Sequence, residues 1–351
     1  MKAKSFLLYV FLLIVVAFAA CRKDNANKQD PTPTPTELDD IFDAAASNPN
    51  LRCLIVYKDG KIVKEKYYQS NVANTPHDVR SVTKSVMATL VGIAIDKGYI
   101  QSEQVPIGDY LKAYLPITDT AKANIKLYHL LTMSAGMFSD ELTSTTRYLD
   151  WFNAPDQLAF TLNQPFITKP GQSFYYDSGI AHLTSAVLVQ ATGMSTYQFA
   201  KKYLFTPLGI GDRNWLVDKR GINNGGAGLE LTPYDMLAIG KLYLNKGSYG
   251  NTQVVSESWV AKATTAKITT NNAQPYGPNY GYFFWVGSLS SHDYFFANGY
   301  GGQFIVVVPD ANLIVVATNS WANVSSTVAI QQWSSTMSII ANKIIPLYNP
   351  K

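Results

Sequence analysis

The sequence is poor in charge and lacks the motifs of several large enzyme classes. Only 15% of its 351 residues are charged, the net charge is +4, and no basic stripe interleaved with aromatic residues is present. Nucleic acid is therefore not an expected partner. A Walker loop and a Gly-x-Gly-x-x-Gly turn after a strand are absent, which argues against nucleotide binding. The absence of a Gly-x-Ser-x-Gly elbow argues against the α/β-hydrolase arrangement.

Histidine and cysteine are also scarce. The four histidines are scattered at positions 77, 129, 182 and 292, and no two of them stand at metal-ligand spacing. We therefore expect neither a metal site nor any other cofactor. The two cysteines are Cys21 and Cys53. Cys53 lies in an apolar stretch typical of a strand interior, where a buried, inert thiol is expected rather than a catalytic one.

The first 21 residues have the pattern of an export signal, with lysines before an apolar run that ends in small residues. The sequence Phe18-Ala19-Ala20-Cys21 resembles a bacterial lipobox, although leucine is usual where Phe18 stands. We expect an exported lipoprotein, anchored to a bacterial membrane through Cys21 and facing the periplasm or the cell surface. An ordinary signal peptide cut nearby is the alternative.

The rest of the chain divides into a tether and one folded domain. Residues 22–36 are polar and end in alternating proline and threonine, a composition typical of an extended, disordered tether. We expect residues 37–351 to form the folded domain.

The pattern of this domain predicts an α+β fold. Two β-rich runs flank Asp59-Gly60, which is a strong hairpin signal, and two more occur at 304–308 and 313–318. Residues 81–245 read mostly as helices, and the segment 328–345 is also helical. We expect one antiparallel sheet built from both chain ends and flanked by terminal helices. An inserted, mostly helical lobe at 81–245 would lie beside the sheet, with the site between them.

The run Ser81-Val82-Thr83-Lys84 is the first candidate for chemistry. Serine is a poor nucleophile until a neighbouring group takes its proton. On a helix, positions i and i+3 share a face, so the amine of Lys84 can reach the Ser81 oxygen. The following helix is apolar on most faces, and burial lowers the pKa of a lysine toward that of a useful base. Because Ser-x-x-Lys also arises by chance, the motif needs support from its surroundings.

Two further segments could complete such a site. Tyr176 precedes a helix, and beside a lysine ammonium its pKa could fall, so that it could shuttle a proton. A packed aromatic cluster is the alternative. In the segment 297–303, a β run opens into glycines that could bring backbone N–H groups to an oxyanion. A plain glycine turn is the alternative there.

In order and spacing, these segments resemble the superfamily of serine β-lactamases, penicillin-binding proteins and esterases. The resemblance covers most of the chain and includes Ser81-x-x-Lys84, 125–136, Pro170-Gly171 with Tyr176, 207–210, 226–229 and 231–236. It implies the β-lactamase/transpeptidase-like fold, an acyl-enzyme on Ser81, and proton transfer by Lys84 and Tyr176. It also implies an oxyanion hole made by the backbone N–H groups of Ser81 and of Tyr300 or a close neighbour.

The chain departs from this family at two positions. The family's Tyr-x-Asn reads Tyr176-Asp177-Ser178, and its Lys-Thr-Gly reads Ala297-Asn298-Gly299, so a charge that holds a substrate carboxylate is missing. The positions that would contact substrate or the oxyanion are Ser178, Asn298, Gly299, Tyr300 and Gly301.

These departures favour the branch of 6-aminohexanoate-oligomer hydrolases and related esterases, which would act on a small ester or amide. Two alternatives stay open. One is a non-hydrolytic protein that binds or senses cell-wall fragments. The other is a β-lactamase or D-Ala-D-Ala carboxypeptidase.

Overall fold

The computed structural model describes residues 35–70, 73–114, 116–271, 273–289 and 291–348. The expected export signal with Cys21, and most of the expected tether, lie outside the described residues. Within the described ranges, no helix combines the length and the apolar character needed to cross a membrane.

The described residues form thirteen α-helices and twelve β-strands. The helices are α1 (Pro35–Ala45), α2 (Val82–Asp96), α3 (Gly108–Leu111), α4 (Thr120–Ala123), α5 (Leu127–Leu131), α6 (Thr145–Asn153), α7 (Gln157–Leu162), α8 (Ser178–Thr192), α9 (Thr196–Ala200), α10 (Thr206–Leu208), α11 (Pro233–Leu244), α12 (Glu257–Thr264) and α13 (Ser326–Ile339). Single π-helical turns, Lys201–Phe205 and Ile340–Ile344, follow α9 and α13. The strands are β1 (Leu51–Lys58), β2 (Lys61–Tyr67), β3 (His77–Asp78), β4 (Glu230–Leu231), β5 (Ser248–Tyr249), β6 (Thr252–Gln253), β7 (Ile268–Thr269), β8 (Asn279–Tyr280), β9 (Trp285–Leu289), β10 (His292–Gly299), β11 (Gln303–Val308) and β12 (Leu313–Asn319).

The main sheet joins the two ends of the domain. In the described part of the chain it contains eight strands in the order β2-β1-β12-β11-β10-β9-β8-β7. Strand β1 pairs antiparallel with β12, so that Leu54 lies opposite Ala317. The predicted α+β fold, with a sheet built from early and late segments, is therefore confirmed. Cys53 on β1 is fully buried, and burial raises the pKa of its thiol, as expected for an inert cysteine.

The hairpin between β1 and β2 forms where the sequence predicts it. Asp59 has φ 50° and Gly60 has φ 87°. Two successive residues with positive φ give the tight turn whose twist matches that of the flanking strands.

Two helices lie at the expected boundaries. Helix α1 begins at Pro35, inside the expected tether 22–36, because proline suits the first helical turn, where its missing N–H has no partner to lose. Helix α11 lies at the end of the expected lobe 81–245 and packs on β11 and β12 of the sheet. Gly240 permits this approach, since a Cβ there would lie 2.8 Å from Cγ2 of Ile314. The expected bounds of the tether and of the lobe stay predictions.

Helix α2 lies between the sheet and the lobe. It packs against β10 on one side and against α8 on the other. Its residues from Val82 to Ala94 are all buried, including Lys84. Because the first turn of α2 is thus held from both sides, the groups at its N-terminus have fixed positions.

Candidate active site

Ser81 and Lys84 lie together at the start of α2. Ser81 is the residue directly before the helix, and the Nζ atom of Lys84 lies 2.9 Å from its Oγ atom. The same Nζ atom donates to Ser178 Oγ at 2.9 Å and to the backbone carbonyl oxygen of Gly226 at 2.8 Å. Lys84 therefore connects the candidate nucleophile to the start of α8 and to the loop before β4.

The environment of Lys84 favours its neutral form. The side chain is 1% exposed, and burial lowers the pKa of its amine to about 8. The charge of Glu141 opposes the shift, the nearby Arg80 adds to it, and Asp177 also opposes it. The predicted lowering of the lysine pKa is confirmed in direction, and the physical cause is loss of hydration.

Ser178 lies inside this hydrogen-bond network and is 1% exposed. It donates its backbone N–H to Glu141 Oε2 at 2.5 Å and its hydroxyl to Glu141 Oε1 at 2.6 Å. Its oxygen accepts from Lys84. The structure thus places Ser178 beside the lysine, and its expected contact with substrate stays a prediction.

Glu141 is the functional group that the sequence did not reveal. It lies in the loop before α6, shortly after the quoted segment 125–136, and no spacing rule marks it. Burial raises the pKa of Glu141, and the charge of Lys84 opposes this.

Tyr176 packs over Lys84 but differs in one respect from the prediction. Nζ of Lys84 lies 4.7 Å from the centroid of the Tyr176 ring, and the ring stacks on Trp285 at 5.9 Å between centroids. Burial, followed by the charge of Glu141, raises the pKa of Tyr176, while a hydrogen bond with Ser81 opposes the rise. The expected lowering of this pKa is therefore wrong, and Tyr176 keeps its proton at neutral pH.

A buried ion pair holds the segment that carries Tyr176 and Ser178. Asp177 caps α8 by accepting from the backbone N–H of Gly179 at 2.6 Å and of Ile180 at 3.2 Å. Its other oxygen accepts from Arg147 at 3.0 Å, and both side chains are less than a tenth exposed. The residues on either side of Asp177 are fixed by these contacts.

The residue before Ser81 has a strained backbone. Arg80 has φ 52°, and its N–H donates to Asp78 Oδ1 at 2.7 Å. Its guanidinium lies 4.4 Å from the ring centroid of Trp321 and 5.2 Å from that of Tyr148. Strain of this kind persists only where the surroundings fix it, and it is frequent beside nucleophiles and ligands.

The end of β10 borders the segment that leads to Ser81. A Cβ at Gly299 would lie 2.3 Å from the carbonyl oxygen of Val79, so only glycine allows this close approach. Gly301 has φ 74° and its carbonyl accepts from Gln332. Tyr300 is about a third exposed.

Asn298 points away from this border. Its Oδ1 atom accepts from Trp333 Nε1 on α13 at 2.7 Å. Because side chains alternate along a strand, Asn298 faces α13, whereas Gly299 faces Val79. The expected contact of the Asn298 side chain with substrate is therefore not supported by its position.

Three backbone donors at this border have no internal partner among the described residues. No backbone or side-chain group in that part of the chain accepts from the N–H of Ser81, Tyr300 or Gly301. These N–H groups can therefore donate to an acceptor from outside the chain.

The chain belongs to the Beta-lactamase family, because the family model matches residues 53–332. The resemblance and the prediction of a hydrolase related to the β-lactamases are therefore confirmed at the level of the family.

A curated relative bears on the branch within that family. The 6-aminohexanoate-dimer hydrolase of Paenarthrobacter ureafaciens is 23% identical over 257 residues. The match spans 67% of this chain and 64% of the relative, slightly less than two thirds of the relative's length.

Solved structures share the fold at low sequence identity. The octameric penicillin-binding protein homologue from Pyrococcus abyssi has a TM-score of 0.68 at 18% identity, over 88% of this chain and 77% of that one. EstCE1, a hydrolase with promiscuous acyltransferase activity, has a TM-score of 0.67 at 17% identity, over 86% of this chain and 97% of that one. These likenesses establish the fold.

Proposed function

We propose that the protein is a serine hydrolase that cleaves an ester or amide bond through an acyl-enzyme on Ser81. The observation that carries the proposal is the buried amine of Lys84, 2.9 Å from the Ser81 hydroxyl at the start of a helix. A serine becomes nucleophilic when a neutral base accepts its proton at this distance.

In the proposed reaction, the Ser81 oxygen attacks the substrate carbonyl while its proton passes to Lys84. The developing oxyanion accepts from the N–H groups of Ser81 and Tyr300, and each such donor contributes about a hundredfold or more to the rate. Tyr176, which is protonated at neutral pH, gives its proton to the leaving group as the bond to the carbonyl carbon breaks, and it takes a proton from the Lys84 ammonium, so that both groups are neutral again. Water then releases the acyl group by the reverse proton path.

The substrate we propose is a small ester or amide without a carboxylate beside the scissile bond. Ala297 is fully buried and pairs with Ile305 of β11, so the position that holds the family's lysine supplies no charge here. The name of the curated relative describes an amide hydrolase, and EstCE1 is described as a hydrolase. A panel of short acyl esters, linear amides, cephalosporins and D-amino-acid peptides ranks these classes directly.

The test of the nucleophile is hydrolysis of p-nitrophenyl esters by the wild type and by Ser81→Ala. We expect the variant to lose about a thousandfold or more in kcat/KM, since the nucleophile is gone. Ser258→Ala, at an exposed serine of α12, is the matched control and should match the wild type. Equal activity of Ser81→Ala and the wild type would refute the assignment.

We also propose that Cys21 carries a lipid that anchors the protein to a bacterial membrane. The support is the sequence pattern alone, because Cys21 lies outside the described residues. Palmitate labelling in cells should depend on Cys21 and disappear in Cys21→Ala, and unchanged labelling of that variant would contradict the proposal.

A further inference from the structure

The three partners of Lys84 differ in what they can do. The carbonyl oxygen of Gly226 can only accept, and it takes one N–H of the lysine at 2.8 Å. The hydroxyl of Ser178 can donate or accept, and so can that of Ser81. A neutral amine has two N–H groups and one lone pair. Which hydroxyl meets the lone pair therefore decides whether Lys84 can act as a base toward Ser81.

Glu141 resolves this choice at Ser178. In its ionised form a carboxylate only accepts, and Glu141 then takes both donors of Ser178, the backbone N–H at 2.5 Å and the hydroxyl at 2.6 Å. These two bonds favour the ionised form, because they lower the pKa of Glu141 against the effect of burial. With its proton committed to Glu141, the Ser178 oxygen must accept from Lys84. The neutral Lys84 amine therefore donates its second N–H to Ser178, and Ser81 is the remaining partner that can donate to its lone pair.

We propose that Glu141 is a positioning residue which, through Ser178, directs the lone pair of Lys84 at the Ser81 hydroxyl. The proposal deepens the proposed function and rests on it. During attack, the O–H bond of Ser81 breaks as its oxygen bonds to the substrate carbonyl, and the proton moves to Lys84, which becomes an ammonium. The Glu141 carboxylate, which acts to raise the pKa of the Lys84 amine, then faces a cation.

Glutamine at this position cannot replace the carboxylate. It has one accepting oxygen for the two donors of Ser178, so its N–H₂ must face either the backbone N–H or the hydroxyl oxygen. When it faces the hydroxyl oxygen, the Ser178 proton turns toward Lys84 and occupies the lone pair. The Lys84 amine is then still present, but its lone pair accepts from Ser178 instead of from Ser81.

If Glu141 had a purely structural role, its substitution would lower activity in a different pattern. The bond from the Ser178 backbone N–H would still hold the start of α8 if the Ser178 hydroxyl were removed. A structural Glu141 would therefore matter equally with and without that hydroxyl, whereas a positioning Glu141 would not.

The experiment is a double-mutant cycle on kcat/KM for a p-nitrophenyl ester, with Glu141→Gln introduced into the wild type and into Ser178→Ala. We expect Glu141→Gln to cost about 30-fold or more in the wild type, somewhat less than the roughly hundredfold or more that loss of the acid–base group itself would cost. In Ser178→Ala it should cost about threefold or less. A cost that differs between the two backgrounds by less than about tenfold overturns the proposal, because interacting residues are non-additive.

Controls separate this result from other failures. Asp140→Asn removes the neighbouring carboxylate, for which no side-chain partner is found among the described residues, and should keep wild-type activity. Circular dichroism establishes that each variant folds, and Glu141→Asp replaces Glu141→Gln in the cycle if the latter does not. If Ser81→Ala is as active as the wild type, the proposed function is wrong, whatever the double-mutant cycle shows.

Discussion

The Nζ atom of Lys84 and the Oγ atom of Ser81 lie 2.9 Å apart on the first turn of a buried helix. The lysine cannot be hydrated there, so its charge is poorly stabilised and its neutral form becomes accessible near neutral pH. The fold achieves this by enclosing α2 between the sheet and α8. The base and the nucleophile are thus consequences of one packing arrangement.

The first prediction concerns pH. Lys84 acts as a base only when neutral, and burial lowers its pKa to about 8. Activity should therefore be low below that value and rise with pH through it. The pH dependence of kcat/KM for a neutral ester measures this limb. A profile that is flat from pH 6 to pH 9 would contradict the role of Lys84.

The second prediction concerns Tyr176. Because burial raises the pKa of this phenol, it acts as a proton donor, and Tyr176→Phe should lower kcat by about a hundredfold or more. The acidic limb of the pH profile should stay where it is, since that limb belongs to Lys84. Tyr175→Phe, which removes the hydroxyl of the preceding residue, is the matched control. Similar losses in both variants would contradict a specific role for the Tyr176 hydroxyl.

The third prediction concerns the buried pair of Arg147 and Asp177. Arg147→Ala leaves Asp177 charged and buried without its partner, which should lower the free energy of unfolding by about 3–5 kcal/mol. Denaturant unfolding measures the loss. Lys246→Ala removes one partner of an ion pair whose side chains are 72% and 63% exposed, and it should change stability little. Equal losses of unfolding free energy in the two variants would contradict the role of Arg147 in holding the start of α8.

The fourth prediction concerns the end of β10. Gly299→Ala places a methyl group 2.3 Å from the carbonyl oxygen of Val79, so the strand must move away from the segment that carries Ser81. We expect kcat/KM to fall by about tenfold or more, as misplaced catalytic groups lose rate steeply. Gly211→Ala, where the nearest atom would be 3.4 Å away, should be nearly neutral. Full activity of Gly299→Ala would contradict the close approach.

Much of the fold was predictable because it depends on local signals. Asp59-Gly60 marks the first hairpin, and the apolar runs near both ends mark β1, β11 and β12. The packing of α11 was not predictable, since its helical period says nothing about its partner. Gly240, which allows its contact with the sheet, looks like any helical glycine in the sequence.

The site was predictable where side chains are linked by helical spacing, as with Ser81 and Lys84. Glu141 was missed because its contact with Ser178 joins a loop to the start of α8, and only the tertiary fold brings the two together. The direction of the Tyr176 pKa shift was also missed. Its sign depends on burial and on Glu141, and neither can be read from the residues around the tyrosine.

The most direct test of the account is mass-spectrometric mapping of the residue that a fluorophosphonate probe modifies. The account predicts one adduct, on Ser81, formed faster as pH rises through about 8 and absent from Ser81→Ala. An adduct on another serine, or equal labelling of wild type and Ser81→Ala, would contradict it.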